Sequence, residues 1–240
     1  MKLTDVSNAI RKVLPLKPCG AVIVAAGSAS RMGGIDKVMA QLGGEPMIVR
    51  TVRTFQESEV ISQIVIVTRP DLIEPIGKLC QGFEKVKAVV AGGTSRQESV
   101  GLGLKALSEQ MKLVAIQDGA RPLVSWQVID RTVRAANTYG AAAPAIPVKD
   151  TIKVVQGGVV VTTPDRSSLQ AVQTPQVFDL DLLKGALEKA RQEGSAVTDD
   201  CSAVELMGMS VKIVEGDERN LKGTTPLELA VAKLLLEDEK

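Results

Sequence analysis

Hydrophobic residues are grouped in short continuous runs, and segments with helical spacing separate these runs. Continuous β-branched runs are typical of parallel strands that are covered on both faces, whereas half-exposed strands alternate hydrophobic and polar residues. The alternation of the two patterns therefore predicts an α/β fold with a mostly parallel sheet and helices on both faces. The predicted strands cover residues 21–25, 63–67, 86–90, 113–116, 141–148, 173–178 and 211–214. The predicted helices cover residues 44–57, 71–80 (interrupted by Pro75), 125–139 (with Ser125 as a possible N-cap), 180–193, 198–207 and 226–236, and a further helix opens after residue 95.

One segment, residues 149–170, departs from this alternation of strand and helix patterns. Two valine-rich stretches, 151–155 and 159–163, flank Gly157 and Gly158, a pattern that predicts a β-hairpin. The segment is too short to be a domain and too rich in β-branched residues to be a crossover helix. Because an exposed hydrophobic hairpin is an aggregation hazard unless it is covered, we expect a second copy of the chain to cover it. The pattern thus predicts a homodimer whose dimerisation arm protrudes from the domain.

The composition is that of a globular chain. Of the 240 residues, 45% are hydrophobic and 24% charged, which fits one domain with a sizeable core. We expect a single domain over residues 19–240, preceded by an N-terminal extension over residues 1–18. A net charge of +1 and an aromatic content of 2% give no basic field and few stacking groups, so nucleic acid is not the expected partner.

Cysteine and hydrophobic patterns indicate the cytoplasm. Cys19, Cys80 and Cys201 are odd in number and far apart, so neither a disulfide framework nor a zinc site is expected. Free thiols suit a reducing compartment. No hydrophobic run reaches membrane-spanning length, and residues 1–18 lack the hydrophobic core of a signal peptide.

Histidine is absent from the chain, which limits the chemistry. This absence excludes Ser-His-Asp and Cys-His nucleophilic sites and His-based zinc centres. Any catalysis must depend on Arg, Lys, carboxylates, hydroxyls and backbone groups, with an oxygen-bound metal such as Mg²⁺ as a possible addition.

The first predicted strand leads into a loop of small residues. The segment 21–32 reads AVIVAAGSASRM, and Lys37 follows it. Small residues let backbone N–H groups approach phosphate oxygens closely, and Arg31 and Lys37 can neutralise the remaining charge. The alternative is an ordinary strand-to-helix loop with two solvated cations. The loop is neither a P-loop nor a G-x-G-x-x-G fingerprint, since Ala29 stands where the second Gly would be.

Two further strand ends carry candidate chemistry. Residues 91–100 read AGGTSRQESV, in which a double glycine precedes a helix that Thr94 or Ser95 could cap. This loop could bind a nucleotide at a helix N-terminus, or it could be good capping alone. Asp118 ends the fourth long strand, where it is a natural Mg²⁺ ligand or hydroxyl acceptor, although a turn Asp before Gly is also common.

Several motifs, in order and at matching spacing from about Gly20 to the last helix, carry a family resemblance. They resemble the sugar-nucleotide and CTP-dependent nucleotidyltransferases, and among these the 2-C-methyl-D-erythritol 4-phosphate cytidylyltransferases of non-mevalonate isoprenoid synthesis. The motifs are Ala25-Ala26-Gly27 with Arg31-Met32 and Lys37, Gly92-Gly93 with Arg96 and Ser99-Val100, Asp118-Gly119-Ala120-Arg121-Pro122, Asp150-Thr151, Asp165-Arg166, Thr174-Pro175-Gln176, Thr198-Asp199, and Val214-Glu215-Gly216 with Asn220-Leu221-Lys222.

The resemblance implies a Rossmann-like core, an arm exchanged across a homodimer, and transfer of a cytidylyl group from CTP to a polyol phosphate with Mg²⁺. By motif position it implies catalytic roles for Arg31, Lys37, Arg166 and Lys222. It implies nucleotide contacts for Ala25, Ala26, Gly27, Gly93, Ser99 and Gly119. It places Asp118, Arg121, Thr151, Thr174 and Thr198 around the acceptor substrate, with Asp118 also near the metal.

The sequence departs from the family pattern at a few positions. Ala29 replaces a usual Gly, Asp36 a usual Pro, Gln117 a usual His and Gly119 a usual Ala. These departures leave the reaction class in place but affect the expected acceptor preference. Two alternatives stay open at this point, namely the same reaction with ribitol 5-phosphate as acceptor, and a nucleotide-binding regulator without catalysis. A dehydrogenase is disfavoured, because Arg69-Pro70 follows the second strand where a ribose-binding carboxylate would be needed.

Overall fold

The computed structural model describes residues 15–27, 36–195 and 197–237. Within these ranges, the predicted strands and helices occur in the predicted order. The strands are β1 Cys19–Ala25, β2 Gln41–Leu42, β3 Glu45–Pro46, β4 Gln63–Thr68, β5 Val86–Ala91, β6 Leu113–Asp118, β7 Ala141–Pro147, β8 Val154–Gln156, β9 Val159–Thr162, β10 Gln170–Val172, β11 Gln176–Asp179 and β12 Lys212–Glu215. The helices are α1 Met47–Glu57, α2 Ile73–Leu79, α3 Arg96–Lys105, α4 Trp126–Tyr139, α5 Leu180–Glu193, α6 Asp200–Glu205 and α7 Pro226–Glu237.

One sheet of eight strands forms the centre of the molecule. Its order is β10-β7-β11-β6-β1-β4-β5, and β12 also pairs with β7. The pairs β1–β4, β1–β6, β4–β5 and β7–β12 are parallel, while β10 and β11 run antiparallel to their neighbours. The predicted α/β class and the mostly parallel sheet are therefore confirmed. Because the parallel strands share one direction, the ends of β1 and β6 reach the same edge of the sheet.

Helices cover both faces of this sheet, as predicted. On one face, residues of α1, α2 and α4 share one buried cluster with Ala21 and Ile23. On the other face, residues of α3, α5 and α6 share a second buried cluster with Val22 and Val65. The strands β1, β4 and β6 are buried almost throughout, which explains their continuous hydrophobic runs.

Close approach of α3 to the sheet depends on a glycine. A methyl group at Gly103 would collide with the Val22 side chain and would lie 2.8 Å from Cγ2 of Val67. The helix therefore lies closer to β1 and β4 than any larger residue at this position would permit.

One local prediction was wrong, and a second was confirmed in position but not in its hydrogen bond. Pro75 does not interrupt its helix, because it is the third residue of α2, where a missing N–H leaves no helical hydrogen bond unmade. Ser125 precedes α4 at the N-cap position, but its side chain makes no capping hydrogen bond. Ser95, by contrast, caps α3 by accepting from the Glu98 backbone N–H.

The predicted hairpin is confirmed. Strands β8 and β9 form a separate two-stranded antiparallel sheet, joined by Gly157 and Gly158 with positive φ angles of 55° and 80°. Every residue of both strands is exposed in the single chain. Val159 is 69% exposed, so the arm presents its valines to solvent.

Candidate functional site

A cleft of about 310 Å³ lies at the carboxyl ends of β1 and β6, between these strands and the start of α3. This is the edge at which ligands bind in open parallel sheets. The lining residues come from five separate segments of the chain. They are Val24, Ala25, Ala26, Gly27, Lys37, Val38, Gly93, Thr94, Ser95, Arg96, Ser99, Asp118, Ala120 and Lys222.

The first wall of the cleft is the end of β1. Ala25, Ala26 and Gly27, which belong to the small-residue loop, line it directly. Lys37 also lines the cleft and begins a 3₁₀ turn, Lys37–Met39, in which the Val38 side chain is buried. Arg31, the other predicted cation of this loop, lies outside the described residues.

The second wall is the loop before α3. The Gly93 N–H donates to Oγ of Ser99 at 3.1 Å, and that hydroxyl donates to the Ser95 carbonyl at 2.8 Å. A side chain at Gly92 would meet Ala26 of the first wall, with Oγ of Ser99 2.8 Å from its Cβ. The two loops therefore touch, and the N-terminal end of α3 opens onto the cleft, where its partial positive charge favours an anion.

Asp118 is the centre of the charge distribution. Its carboxylate lies 2.9 Å from Nζ of Lys222, 3.3 Å from Nε of Arg121 and 3.8 Å from Nη2 of Arg96. Burial by itself would raise the pKa of the Asp118 carboxyl, but the three cations outweigh burial and hold that pKa below its usual value. Asp118 is thus ionised at neutral pH and keeps three positive side chains together.

Hydrogen bonds between loops hold Asp118 and Lys222 in place. The Asp118 backbone N–H donates to Oγ1 of Thr174 at 3.1 Å, and the Asn220 side chain donates to the Thr174 carbonyl at 2.8 Å. Nη1 of Arg121 donates to the Asn220 carbonyl at 2.6 Å. The loop that carries Lys222 is therefore fastened both to the end of β6 and to the segment before β11.

The structure adds a residue that the sequence did not reveal. Asp200, the first residue of α6, is 1% exposed, and its Oδ2 lies 2.7 Å from Nη1 of Arg96. Burial raises the pKa of the Asp200 carboxyl, and attraction to Arg96 opposes that shift. Arg96 therefore bridges two carboxylates, Asp118 at the cleft and Asp200 behind it. Arg96 belonged to a recognised motif, but its distant partner carries no local signal beyond its position after the Asp199 cap.

The remaining predicted residues lie elsewhere in the chain. Thr151 and Arg166 are exposed on the arm segment, where Nη1 of Arg166 donates to the Lys149 carbonyl at 2.9 Å. Thr198 is exposed beside α6, and its N–H donates to Oγ of Ser202. Gly119 is buried next to the first wall, with its N–H donating to the Val24 carbonyl at 2.8 Å and its carbonyl accepting from Thr51. The structure therefore does not bring Thr151, Arg166, Thr198 or Gly119 to the lining of this chain's cleft.

Comparison with known proteins identifies the relatives. The family model of IspD, 2-C-methyl-D-erythritol 4-phosphate cytidylyltransferase, matches residues 19–238. The enzyme of that name from Geobacillus kaustophilus is 48% identical over 219 residues, which are 90% of this chain and 96% of the relative. The one from Symbiobacterium thermophilum is 45% identical over 224 residues, 92% of this chain and 94% of the relative.

Solved structures agree with the sequence matches. The crystal structure of 4-diphosphocytidyl-2C-methyl-D-erythritol synthase from Anaerococcus prevotii has a TM-score of 0.84 at 32% identity, and the match covers 92% of this chain and 96% of that one. The 2-C-methyl-D-erythritol 4-phosphate cytidylyltransferase from Thermus thermophilus has a TM-score of 0.75 at 31% identity, covering 90% and 98%. The Rossmann-like fold is therefore shared. Among the described residues, no helix has the length and hydrophobicity needed to cross a membrane.

Proposed function

The chain belongs to the family of 2-C-methyl-D-erythritol 4-phosphate cytidylyltransferases and joins CTP to 2-C-methyl-D-erythritol 4-phosphate in isoprenoid precursor synthesis, and we propose that the cleft described above is where it does so. The products are 4-diphosphocytidyl-2-C-methyl-D-erythritol and pyrophosphate. The observation that carries the proposal is the cluster of Lys222, Arg121 and Arg96 around Asp118, which faces two small-residue loops. Such a site suits substrates that bring several negative charges.

The reaction needs charge neutralisation more than a base. The acceptor phosphate is already anionic at neutral pH, so one of its oxygens attacks the α-phosphorus of CTP without prior removal of a proton. A bond forms between that oxygen and the α-phosphorus, while the bond to the bridging oxygen breaks and pyrophosphate leaves. The main difficulty is repulsion between two anions, which preorganised cations and amides relieve. A chain without histidine can therefore perform this chemistry.

We assign roles on this basis to the lining residues and to the further residues that the family resemblance implied. Lys37, with Arg31, neutralises charge on the triphosphate in the transition state, and the backbone of both loops binds the nucleotide. Lys222 and Arg121 attract the acceptor phosphate, while Asp118 orients them and can accept from an acceptor hydroxyl. The nucleotide contacts are Ala25, Ala26, Gly27, Gly93 and Ser99, with Gly119 supporting them from below, and Thr174 and Thr198 flank the acceptor.

Mg²⁺ fits this site as an ion that arrives with the nucleotide. Among residues 15–27, 36–195 and 197–237, no group of three or more His, Cys, Asp or Glu side chains is placed to hold a metal. Of the residues that the structure describes, Asp118 is the single carboxylate that lines the cleft, and one carboxylate with substrate phosphates is a common Mg²⁺ environment. In that position, Mg²⁺ would neutralise phosphate charge. Asp118 would be its protein ligand.

We further propose that the enzyme is a homodimer in which the arm carries Thr151 and Arg166 to the partner's site. Two facts support this proposal: both residues are exposed on the segment that bears the valine hairpin, and neither lines the cleft of its own chain. We also propose that the enzyme acts in the cytoplasm, since Cys19, Cys80 and Cys201 are all free and buried.

Pyrophosphate release tests the function directly. The purified protein is given CTP and Mg²⁺ with methylerythritol phosphate in one reaction and ribitol phosphate in another. We expect turnover with the first acceptor. Turnover with ribitol phosphate alone would change the assigned acceptor to ribitol phosphate. CTP binding without turnover on either acceptor would contradict catalysis in this cleft.

Mixing two inactive variants tests the shared site. Arg166→Ala removes the arm cation, and Lys37→Ala removes a cation of the cleft. If the arm completes the partner's site, subunit exchange produces mixed dimers with one intact site, and activity reappears in the mixture. Mixtures that stay inactive although exchange is measured would show that Arg166 does not act across the dimer.

A further inference from the structure

Asp36, the residue before Lys37, makes two different contacts with its own carboxylate. Oδ1 of Asp36 accepts from the Val38 backbone N–H at 3.1 Å and so caps the 3₁₀ turn Lys37–Met39. Oδ2 of Asp36 forms an ion pair with Nη1 of Arg69. The Asp36 side chain is 15% exposed and the Arg69 side chain 29%, so this ion pair is more shielded from water than a pair on the open surface.

Arg69 is itself attached to the sheet. It directly follows Thr68, the last residue of β4. Its Nε and Nη2 donate to the two carboxylate oxygens of Asp71, at 3.1 and 2.9 Å. Because a bidentate guanidinium–carboxylate pair fixes the orientation of the guanidinium plane, the remaining nitrogen, Nη1, is presented to Asp36 in a defined direction.

These contacts determine where the backbone of Lys37 lies. Asp36 on one side is tied to the end of β4, and Val38 on the other side is 3% exposed in the core. A lysine side chain has a flexible four-carbon stem, so its ammonium can be placed well only if its backbone is held. We propose that Asp36 and Arg69 are positioning residues for Lys37 that fix its ammonium group in the cleft without touching the substrate. This inference rests on the role proposed for Lys37.

A cycle of variants tests the inference. We expect Asp36→Ala and Arg69→Ala each to lower kcat about 10- to 100-fold, since a displacement on the order of 1 Å of a catalytic group has an effect of that size. The double variant should lose no more than Asp36→Ala alone, because Arg69 acts on the turn through Asp36. In a Lys37→Ala background, Asp36→Ala should lower kcat no further.

Two more variants sharpen the test. Asp36→Asn keeps an oxygen for the Val38 N–H but loses the ion pair, so its kcat should fall between those of the wild type and Asp36→Ala. Glu74→Ala is the matched control, because it breaks the exposed Glu74–Lys78 pair in the same segment of the chain and should leave kcat unchanged. Urea unfolding of every variant checks that the protein is folded under assay conditions.

The possible outcomes distinguish a failure of the positioning role of Asp36 from a failure of the role proposed for Lys37. If Lys37→Ala is slow and Asp36→Ala slows it again by the same factor as in the wild type, Asp36 does not act through Lys37 and the positioning role is overturned. If Lys37→Ala turns over at the wild-type rate, the role of Lys37 fails and the positioning role fails with it.

Discussion

The cleft and the arm are constructed in opposite ways. In the cleft, Asp118 is 8% exposed and touches three cations from separate parts of the chain. In the arm, β8 and β9 pair with each other, and all of their residues are exposed in the single chain. Charged groups are thus enclosed in one region, whereas hydrophobic groups face solvent in the other.

This contrast indicates which cluster of side chains one chain can form by itself. The charges around Asp118 have partners within the chain, so one copy determines the geometry of that cluster. An isolated two-stranded hairpin is marginally stable in water, and the arm adds exposed valines to that weakness. We therefore expect the valines of the arm to become buried only against a second copy of the chain.

The largest expected effect comes from adding charge to the arm. Val160 is 53% exposed and pairs across the hairpin with Val155. If the arm is buried in a dimer, Val160→Asp places an unpaired carboxylate there at a cost of several kcal/mol, which corresponds to about a thousandfold weaker dimer. Sedimentation should show monomers. Gln156→Asp, which adds the same charge at a polar position of the same arm, is the control. A Val160→Asp protein that dimerises like the wild type would contradict the proposed interface.

The next largest effect is expected in the cleft. Asp118→Asn leaves three cations without their shared anion, and we expect the free energy of unfolding at pH 7 to fall by about 3 kcal/mol. This is the low end of the range for buried pairs, because the Lys222 side chain is 43% exposed. Asp130→Asn breaks the more exposed pair with Arg134 and should change the free energy by less than about 1 kcal/mol. Equal losses of free energy of unfolding in the two variants would show that the Asp118 cluster stabilises the protein no more than an exposed ion pair does.

The difference in stability between wild type and Asp118→Asn should also depend on pH. Since the folded pKa of Asp118 is lowered, its contribution is fully present above the unfolded value of about 3.9 and is lost as pH falls through the folded pKa. The measurement is urea unfolding of both proteins between pH 6 and pH 3, a range that includes the unfolded pKa of about 3.9. The difference between their free energies of unfolding should be constant near pH 6 and should narrow towards pH 3. A difference that widens on acidification would mean that the cations do not stabilise the ionised carboxylate.

A smaller effect is expected beside the cleft. The Asp199 side chain caps α6 by accepting from the Ser202 N–H and also accepts from Nε2 of Gln176 at 2.7 Å. Asp199→Ala should lower the free energy of unfolding by about 1 kcal/mol, the usual value of a cap. Ser125→Ala, at an N-cap position without a capping hydrogen bond, should have almost no effect. Chemical unfolding of both variants provides the comparison, and equal effects would show that the Asp199 cap contributes nothing.

The sequence predicted the parts of the molecule that depend on neighbouring residues. Continuous hydrophobic runs gave the buried strands β1, β4 and β6, and the valines around Gly157 and Gly158 gave the arm. Likewise, the small residues after β1 and the carboxylate of Asp118 were each recognised as candidates from their place at the end of a strand. Each of these signals lies within a few residues of the feature that it predicts.

Contacts between distant segments could not be predicted in this way. Asp200 meets Arg96, and Arg69 meets Asp36, across gaps in sequence that no periodicity spans. Both are single ion pairs between side chains that also occur commonly on surfaces, so their residue types alone carry no signal. Helix α2 illustrates the same limit locally, since a proline breaks or begins a helix depending only on its distance from the first turn.

Gly103 connects the packing of the molecule to the dimensions of its cleft. The residue does not line the cleft, yet it sets the separation between α3 and the sheet. The rim residues Arg96 and Ser99 belong to that same rigid helix, so their height above β1 follows from this separation. The depth of the cleft therefore depends on a residue that lies about one helical turn from Ser99 and two from Arg96. An engineer who wished to admit a bulkier nucleotide could vary that spacing and leave every binding residue as it is.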